Sequence, residues 1–170
     1  MVNLKIGNRS IGPNSPVFFI AEAGVNHNGS LSLAFKLVDV AKKSGADAVK
    51  FQTFKTDNLI LPNAPKSKYH IETTGSSKKQ TWYNLLKTQE MSYEMHYKII
   101  NYCKKKEIIF LSTPHDEESV DMLEKFKVKA YKIASTDNSN IPLLSYIAKK
   151  GKPMLISTAM SNMDEVRDAV

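Results

Sequence analysis

Residues 48–52 read AVKFQ, and residues 130–135 read AYKIAS. Each stretch follows a helix-like segment and is typical of a short strand in a parallel sheet, whose strands are covered on both faces and normally run as continuous apolar residues. Lys50 and Lys132 interrupt these strands, and a buried ammonium group needs an anionic partner or tends to lose its proton. The matching positions predict an anionic ligand between the strands. The alternative is that each lysine extends from a strand end into water.

Strands and helices alternate along most of the chain. The predicted strands are residues 16–22, 48–52, 108–112, 130–134 and 153–157. The predicted helices are residues 30–44, 81–88, 92–106, 117–126 and 141–149. Residues 4–12 indicate a small β-hairpin, whereas the polar stretch 53–79, with its prolines, glycine and serines, is predicted to lack regular structure. The alternation favours right-handed βαβ units and a parallel sheet.

The fold class that this pattern favours is α/β, of the (β/α)₈ TIM-barrel type. No glycine-rich dinucleotide fingerprint follows the first strand, which counts against a nucleotide-binding sheet. The chain would supply about five of the eight βα units, with the N-terminal hairpin closing one end. A last helix is predicted to begin at Ser161 as its cap, and the chain stops soon afterwards at Val170. Residues 1–170 are therefore expected to be the N-terminal part of a longer barrel.

The composition of the chain limits the classes of molecule that it is expected to bind. The 170 residues carry a net charge of +7, which favours anionic partners such as phosphorylated or carboxylated metabolites. The lysines are spread along helix-like segments and do not form an arginine-rich block with interleaved aromatic residues, so nucleic acid is the weaker interpretation. The single cysteine, Cys103, excludes a disulfide within the chain. No segment has the length and apolarity of a membrane span and no signal pattern opens the chain, so the default expectation is a cytoplasmic protein without a membrane partner.

Strand periodicity predicts where the polar side chains point. Alternate residues of a strand share a face, and in a barrel of this type the chemistry lies at the carboxyl ends of the strands. Residues expected on the helix side are Phe19, Ala21, Val49, Phe51, Tyr131 and Ile133. Residues expected to point into one common space are Glu22, Lys50, Gln52 and Lys132, with Thr113 and Ser157 at two further strand ends. This set suits a small polyanion, although the hydroxyls could equally cap the following helices.

Two loop motifs leave alternatives open. His27, in the loop 24–29, could be a metal ligand or an acid–base group, but a histidine bonded to the backbone is the preferred interpretation. Asp137 could bond Lys132 or a substrate hydroxyl, or form an Asx turn. His96 is expected on a helix surface. The spacing of the histidines, His70 and His115 included, does not indicate a metal site.

Five ordered motifs resemble the sialic acid synthase family, which makes N-acetylneuraminate and related nonulosonates. They are residues 20–29 (IAEAGVNHNG), 45–53 (GADAVKFQT), 110–114 (FLSTP), 130–135 (AYKIAS) and 151–160 (GKPMLISTAM). The opening residues 5–9 also fit the hairpin of that family. The resemblance covers nearly the whole chain and implies the N-terminal barrel domain of such a synthase.

The resemblance implies a condensation of phosphoenolpyruvate with the open-chain aldehyde of an N-acyl amino sugar such as N-acetylmannosamine, with release of phosphate. A divalent metal, usually manganese, would polarise the aldehyde. By resemblance, the residues that hold phosphoenolpyruvate would be Lys50, Thr113, Lys132, Ser135 and Ser157. Glu22 would be the catalytic acid–base or positioning group. Gln52 would contact the sugar, and Asp137 would do so where many relatives carry glutamate.

Three departures from the family bear on activity. The two metal-binding histidines lie on later strands of the family's barrel, so no metal ligand is expected in this chain. The C-terminal antifreeze-like domain, which completes the site across a homodimer, also lies outside it, so the isolated chain is expected to be inactive. The aspartate at residue 137 leaves the acceptor sugar open. Alternatives are a legionaminic or pseudaminic acid synthase, a spore-coat polysaccharide relative, or a non-catalytic anion-binding barrel module.

Overall fold

The computed structural model describes residues 4–68, 71–72 and 81–170. Its strands are β1 (Leu4–Ile6), β2 (Arg9–Ile11), β3 (Ile20–Gly24), β4 (Ala48–Thr53), β5 (Ile109–Pro114), β6 (Tyr131–Ile133) and β7 (Met154–Ile156). Its α-helices are α1 (Leu31–Lys43), α2 (Thr56–Leu59), α3 (Trp82–Gln89), α4 (Tyr93–Lys105), α5 (Glu117–Lys125), α6 (Ile141–Ala148) and α7 (Met163–Ala169). A 3₁₀ turn, Ser135–Asp137, follows β6. The predicted alternation of strands and helices is confirmed.

The strands form one antiparallel hairpin and two parallel ladders. β1 pairs with β2, as predicted for residues 4–12, while β3, β4 and β5 pair in parallel in that order and β6 pairs in parallel with β7. β5 and β6 pack beside each other. In the register of the first ladder, Glu22 lies opposite Lys50 and Gln52 lies opposite Thr113. The predicted α/β class with a parallel sheet is therefore confirmed.

Most of the helices are preceded by an N-cap residue whose side chain accepts a hydrogen bond from the first turn, as the sequence indicates. The N-caps whose side chains accept a backbone N–H are Ser30, Thr81, Ser92, Asp116, Asn140 and Asn162. Each satisfies a donor that the first turn leaves unpaired. The prediction of Ser161 as the last cap is wrong by one residue. Asn162 forms a capping box with Glu165, and the Ser161 hydroxyl instead accepts a hydrogen bond of 2.8 Å from Asn138.

Two apolar clusters cover the two faces of the strands. On the helix side, residues such as Val49, Phe51 and Tyr131 are buried against the helices, as predicted. On the opposite side, called the inner face here, Ile6 of the hairpin packs with inward residues of the strands. That inner cluster comprises Ile6, Ala48, Leu111 and Ala130. The hairpin therefore closes the amino end of the inner face.

The prediction that Phe19 packs on the helix side is wrong, because its side chain is 62% exposed. β3 begins at Ile20, four residues after the start predicted for this strand at residue 16. The Phe19 backbone N–H instead donates to the Asp47 carboxylate at 2.8 Å, and Asp47 also pairs with Arg9 of the hairpin. The Asp47 carboxylate thus holds Phe19 just before β3, where the Phe19 carbonyl oxygen accepts the backbone N–H groups of Asp47 and Ala48.

The polar stretch 53–79 contains regular structure that was not predicted. Residues 56–59 form α2, whose Thr56 backbone N–H donates to the Glu90 carboxylate at 3.0 Å. A partner 34 residues away thus stabilises this short helix. Residues 69–70 and 73–80, His70 among them, lie outside the described part of the chain.

His96 is buried, so the expectation of a surface histidine is wrong. Its Nδ1 lies 2.9 Å from the Ser92 carbonyl oxygen, which can only accept, so Nδ1 carries the proton. Nε2 then accepts from the Thr53 hydroxyl at 2.9 Å, and Thr53 accepts from Ser112 at 2.7 Å. Burial lowers the pKa of His96 to about 4. The neutral imidazole therefore ties the start of α4 to β4 and β5.

Within the described residues, no helix combines the length and the apolar character needed to cross a bilayer.

Candidate functional site

Lys50 lies on β4 between groups from both neighbouring strands. Its Nζ is 2.5 Å from Glu22 Oε2 of β3 and 3.4 Å from Thr113 Oγ1 of β5. The Lys50 side chain is 12% exposed and that of Glu22 is 52% exposed. The parallel register places these residues side by side, and their strand phase turns them to the inner face. The lysine is thus held by its ion pair while the carboxylate remains open to a ligand.

Gly24 leaves space beside Glu22 and Gln52. It has φ +54°, and a Cβ placed there would lie 3.2 Å from Glu22 Oε1 and 3.8 Å from Gln52 Nε2. The left-handed backbone and the close carboxylate both favour glycine. The side chains of Glu22 and Gln52 therefore both lie beside Gly24, in the common space that strand periodicity predicts.

Lys132 is the middle residue of β6 and donates to Ser157 Oγ, just beyond β7, and to the Ile133 carbonyl oxygen at 2.6 Å. Burial lowers the pKa of Lys132 below its ordinary value, the positive charge of Lys50 lowers it further, and the Glu22 carboxylate acts in the opposite direction. Lys50 and Lys132 therefore belong to one electrostatic cluster. Two ammonium groups share one carboxylate there, which leaves the cluster short of negative charge.

Ser135 and Asp137 lie in the 3₁₀ turn that follows β6. Among the described contacts, Ser135 makes no hydrogen bond to either lysine, so its predicted part in anion binding stays a prediction. Asp137 does not pair with Lys132: its Oδ2 lies 3.3 Å from His115 Nδ1, and its Oδ1 accepts a long hydrogen bond of 3.4 Å from Asn140 Nδ2. The carboxylate is turned toward the end of β5 instead.

The sequence interpretation missed His115. It directly follows the last residue of β5, and its backbone N–H donates to the Thr53 carbonyl oxygen at 3.1 Å, so it continues the strand edge. Residues two apart share a strand face, so the position two residues after Thr113 could have been extrapolated to the same side. The partnership with Asp137 depends on tertiary packing and has no local signal.

His27 is a buried loop histidine bonded to the backbone, as the preferred interpretation has it. Its Nδ1 accepts the Gly29 N–H at 3.0 Å, and its ring lies against Phe51 with centroids 6.1 Å apart. Burial lowers the pKa of His27. Gly29 has φ +73°, and a Cβ there would come within 2.4 Å of the Thr88 carbonyl oxygen of α3. The loop after β3 is therefore packed tightly beneath α3.

Among residues 4–68, 71–72 and 81–170, no group of three or more His, Cys, Asp or Glu side chains is arranged to hold a metal ion. The histidines that the family resemblance assigns to manganese lie on later strands, outside these residues. No step of the reaction proposed below is assigned to a metal.

Proteins similar in sequence to this chain include named synthases of sugar acids. The chain is 46% identical over 169 residues to the N,N'-diacetyllegionaminic acid synthase of Legionella pneumophila, covering 99% of this chain and 47% of that protein. It is 40% identical to the spore coat polysaccharide biosynthesis protein SpsE of Bacillus subtilis, with 99% and 44% covered. The crystal structure of the N-acetylneuraminic acid synthetase of Leptospira borgpetersenii, in complex with citrate, superposes with a TM-score of 0.82 at 34% identity, with 99% and 53% covered.

The sequence profile of the NeuB family matches residues 37–170, and the chain belongs to that family. The predicted family resemblance is confirmed. The chain spans less than half the length of the curated relatives given above.

Proposed function

We propose that the complete protein carrying this chain condenses phosphoenolpyruvate with an N-acyl amino sugar to give a nonulosonic acid and phosphate. The observation that carries the proposal is the pair of inward lysines, Lys50 on β4 and Lys132 on β6, which act electrostatically on each other and share the Glu22 carboxylate as a counter-charge. A donor with a phosphate and a carboxylate supplies the negative charge that this cluster lacks.

The proposed reaction forms one carbon–carbon bond. C3 of phosphoenolpyruvate bonds to the aldehyde carbon of the open-chain sugar, and the aldehyde oxygen takes up a proton. Water then adds at C2, and phosphate leaves with its bridging oxygen. Every atom of the two substrates and the water is thus found in the 2-keto acid and the phosphate.

The roles proposed for the residues follow from their charges. Lys50 and Lys132 bind the phosphate and carboxylate, and the hydroxyls that assist them are Thr113, Ser135 and Ser157. Glu22, whose side chain is half exposed beside Lys50, holds or moves the proton at the reacting carbon and oxygen. Gln52, adjacent to Glu22, contacts the sugar, as does Asp137.

The proposal also covers the domain architecture of the complete protein. Residues 1–170 would form the first five βα units of a TIM-type barrel, with the rest of the barrel, the manganese ligands and an antifreeze-like domain in the remainder of a homodimeric protein. The relatives named above include a legionaminic acid synthase and SpsE. An acceptor sugar of the type that those proteins use is therefore the second candidate for the substrate. The donor would be the same in either case.

The test is turnover by the complete gene product with phosphoenolpyruvate, Mn²⁺ and a panel of acceptors: N-acetylmannosamine and the diacetamido sugars that lead to legionaminic and pseudaminic acids. We expect phosphate release that depends on one acceptor. In H₂¹⁸O the label should enter the sugar acid and be absent from phosphate. Absence of turnover with every acceptor would contradict the proposal, and retained anion binding would then favour a non-catalytic module.

Two controls sharpen that assay. Lys50→Met should abolish measurable turnover, because it removes a charge from the donor site, whereas Lys129→Met, an exposed lysine before β6, should leave it unchanged. Residues 1–170 assayed alone should be inactive. Turnover by that segment would show that the remainder of the protein is dispensable.

A further inference from the structure

A cavity of about 610 Å³ lies at the amino end of β5. Its walls are the turn of the hairpin, the start of β5, and the segments that follow α4 and α5. None of the described residues that line it belongs to the site proposed for phosphoenolpyruvate. Sites for small molecules typically have volumes of roughly 300–1,000 Å³. The cavity is therefore large enough for a small ligand and is separate from the proposed donor site.

The floor of this cavity is apolar. The side chains that form it come from α4, from β5 and from the residues just before β5 and β6. They are Ile100, Cys103, Ile108, Phe110 and Val128, all of them buried. The Cys103 thiol stays uncharged, because burial raises its pKa to about 12. A ligand that fills this space should therefore carry an apolar chain or ring.

The exposed side of the cavity is positively charged. Lysines from three separate elements line it, namely Lys5 of β1, Lys104 of α4 and Lys127 after α5. Within the part of the chain that the structure describes, none of the three forms an ion pair, and no acidic residue lines the cavity. Lys106, just outside, pairs with Asp39 at 2.6 Å. The three lysines thus present charge without a counter-charge.

The ends of the two helices do not account for this charge. α4 and α5 both end at the cavity, and the carbonyl end of a helix attracts lysines. Carbonyl oxygens of both last turns are already paired with backbone groups: Lys104 accepts from Glu107 at 3.1 Å, and Glu124 accepts from Lys127 at 2.8 Å. Lys5 lies on a strand. The positive charge is therefore left for a ligand.

The hairpin wall is fixed by Gly7. This residue has φ +63°, and a Cβ there would lie 3.2 Å from Ile109 Cδ1. The left-handed backbone and the close contact both favour glycine, and they hold the turn against the start of β5. Lys5, two residues earlier, is held beside the cavity in the same way. A wall that is already placed reduces the ordering that binding would require.

We propose that this cavity binds a small amphipathic anion. Its phosphate or carboxylate group would lie at Lys5, Lys104 and Lys127, and its apolar chain or ring would lie on the floor. Because exposed ion pairs contribute little, the apolar part should supply most of the affinity and the lysines should select the negative charge. Binding at this site does not require the proposed reaction.

The experiment is titration calorimetry of the complete protein with hexyl phosphate, butyl phosphate and inorganic phosphate. Saturating phosphoenolpyruvate blocks the donor site, and Lys50→Met is titrated in parallel. We expect one hexyl phosphate per chain under both conditions. Each buried methylene should tighten binding about fourfold, so hexyl phosphate should bind about 15-fold more tightly than butyl phosphate. Inorganic phosphate should bind more weakly than either.

A charge reversal tests the lysines. The double variant Lys104→Glu/Lys127→Glu should weaken hexyl phosphate binding at least about 10-fold, because it replaces attraction by repulsion at the cavity. The matched control is Lys105→Glu/Lys125→Glu, which makes the same change of net charge at exposed positions of α4 and α5 that do not line the cavity. The control should change the affinity less than about threefold. Thermal unfolding checks that both variants fold.

Four results would overturn the proposal. They are absence of binding, loss of binding with phosphoenolpyruvate or in Lys50→Met, equal losses in the two charge variants, and equal affinities for hexyl and butyl phosphate. The second would place the probe in the donor site, and the third would reduce the effect to general attraction by a basic surface. No arm measures turnover, so failure of the proposed reaction leaves this test intact.

Discussion

The two ends of the inner face carry opposite chemistry on the same strands. On four segments an inward apolar residue is followed, two positions later, by an inward polar residue nearer the carboxyl end. The pairs are Ile20 and Glu22, Ala48 and Lys50, Leu111 and Thr113, and Ala130 and Lys132. At one end the hairpin residue Ile6 excludes water, and at the other two lysines converge near one carboxylate.

Residues that stabilise the fold and residues proposed to bind the ligand therefore lie only a few positions apart on the same strands. Buried apolar contacts at the amino end lower the free energy of the folded state, whereas partly desolvated charges at the carboxyl end raise it until a ligand arrives. We therefore expect substitutions at the two ends to have opposite signatures. Those at the apolar end should reduce the free energy of unfolding, and those at the charged end should reduce ligand affinity.

The largest effect on stability is expected from Leu111→Ala in the apolar end. Leu111 is fully buried beside Ile6, so its truncation leaves a cavity and should lower the free energy of unfolding by about 2 to 5 kcal/mol. Leu61, which is 77% exposed, is the matched control, and Leu61→Ala should cost less than about 0.5 kcal/mol. Urea unfolding measures both. Equal losses in the two variants would remove the distinction between the ends.

At the charged end, Lys132→Met should weaken phosphoenolpyruvate binding about 100-fold, since a charged hydrogen bond contributes about 1.5–3 kcal/mol. The free energy of unfolding should stay unchanged or rise, because a desolvated ammonium group is removed. Titration calorimetry on the complete protein measures the affinity, with Lys129→Met as control. A loss of stability without a loss of affinity would give Lys132 a structural role.

A smaller effect concerns His96, which lies on the helix side of the strands. Its folded pKa of about 4 lies below the unfolded value of 6.5, so the unfolded chain binds more protons between these values. Stability from this group is present above pH 6.5 and declines as the pH falls toward 4, by about 2 kcal/mol between pH 7 and pH 5. His27, whose pKa burial also lowers, adds to the same trend.

Urea unfolding at pH 7, 6 and 5 measures that slope, and His96→Gln should reduce it. The variant retains the part that His27 contributes. A slope as steep in His96→Gln as in the wild-type protein would assign the pH dependence to other groups.

Features with a local cause were predictable from the sequence. The phase of Lys50 and Lys132 follows from the two-residue period of a strand, and the start of α1 follows from a cap such as Ser30. The shared inward orientation of Glu22, Lys50 and Lys132 is therefore predictable from the sequence.

Features with a distant cause were not predictable. The Phe19 N–H donates to Asp47, 28 residues away, and the Thr56 N–H at the start of α2 donates to Glu90. His96 is buried because Thr53 hydrogen-bonds to it from a neighbouring strand. The pairing of His115 with Asp137 likewise joins elements that no local pattern connects.

The approach of Gly29 to α3 limits how the carboxyl edge can be covered. A single methyl group at residue 29 would collide with the Thr88 carbonyl oxygen, so α3 would have to shift outward. α3 is linked to α2 through Lys87 and Asp57, at 3.0 Å. The lack of a side chain at Gly29 thus determines how closely these two helices pack on the loop after β3.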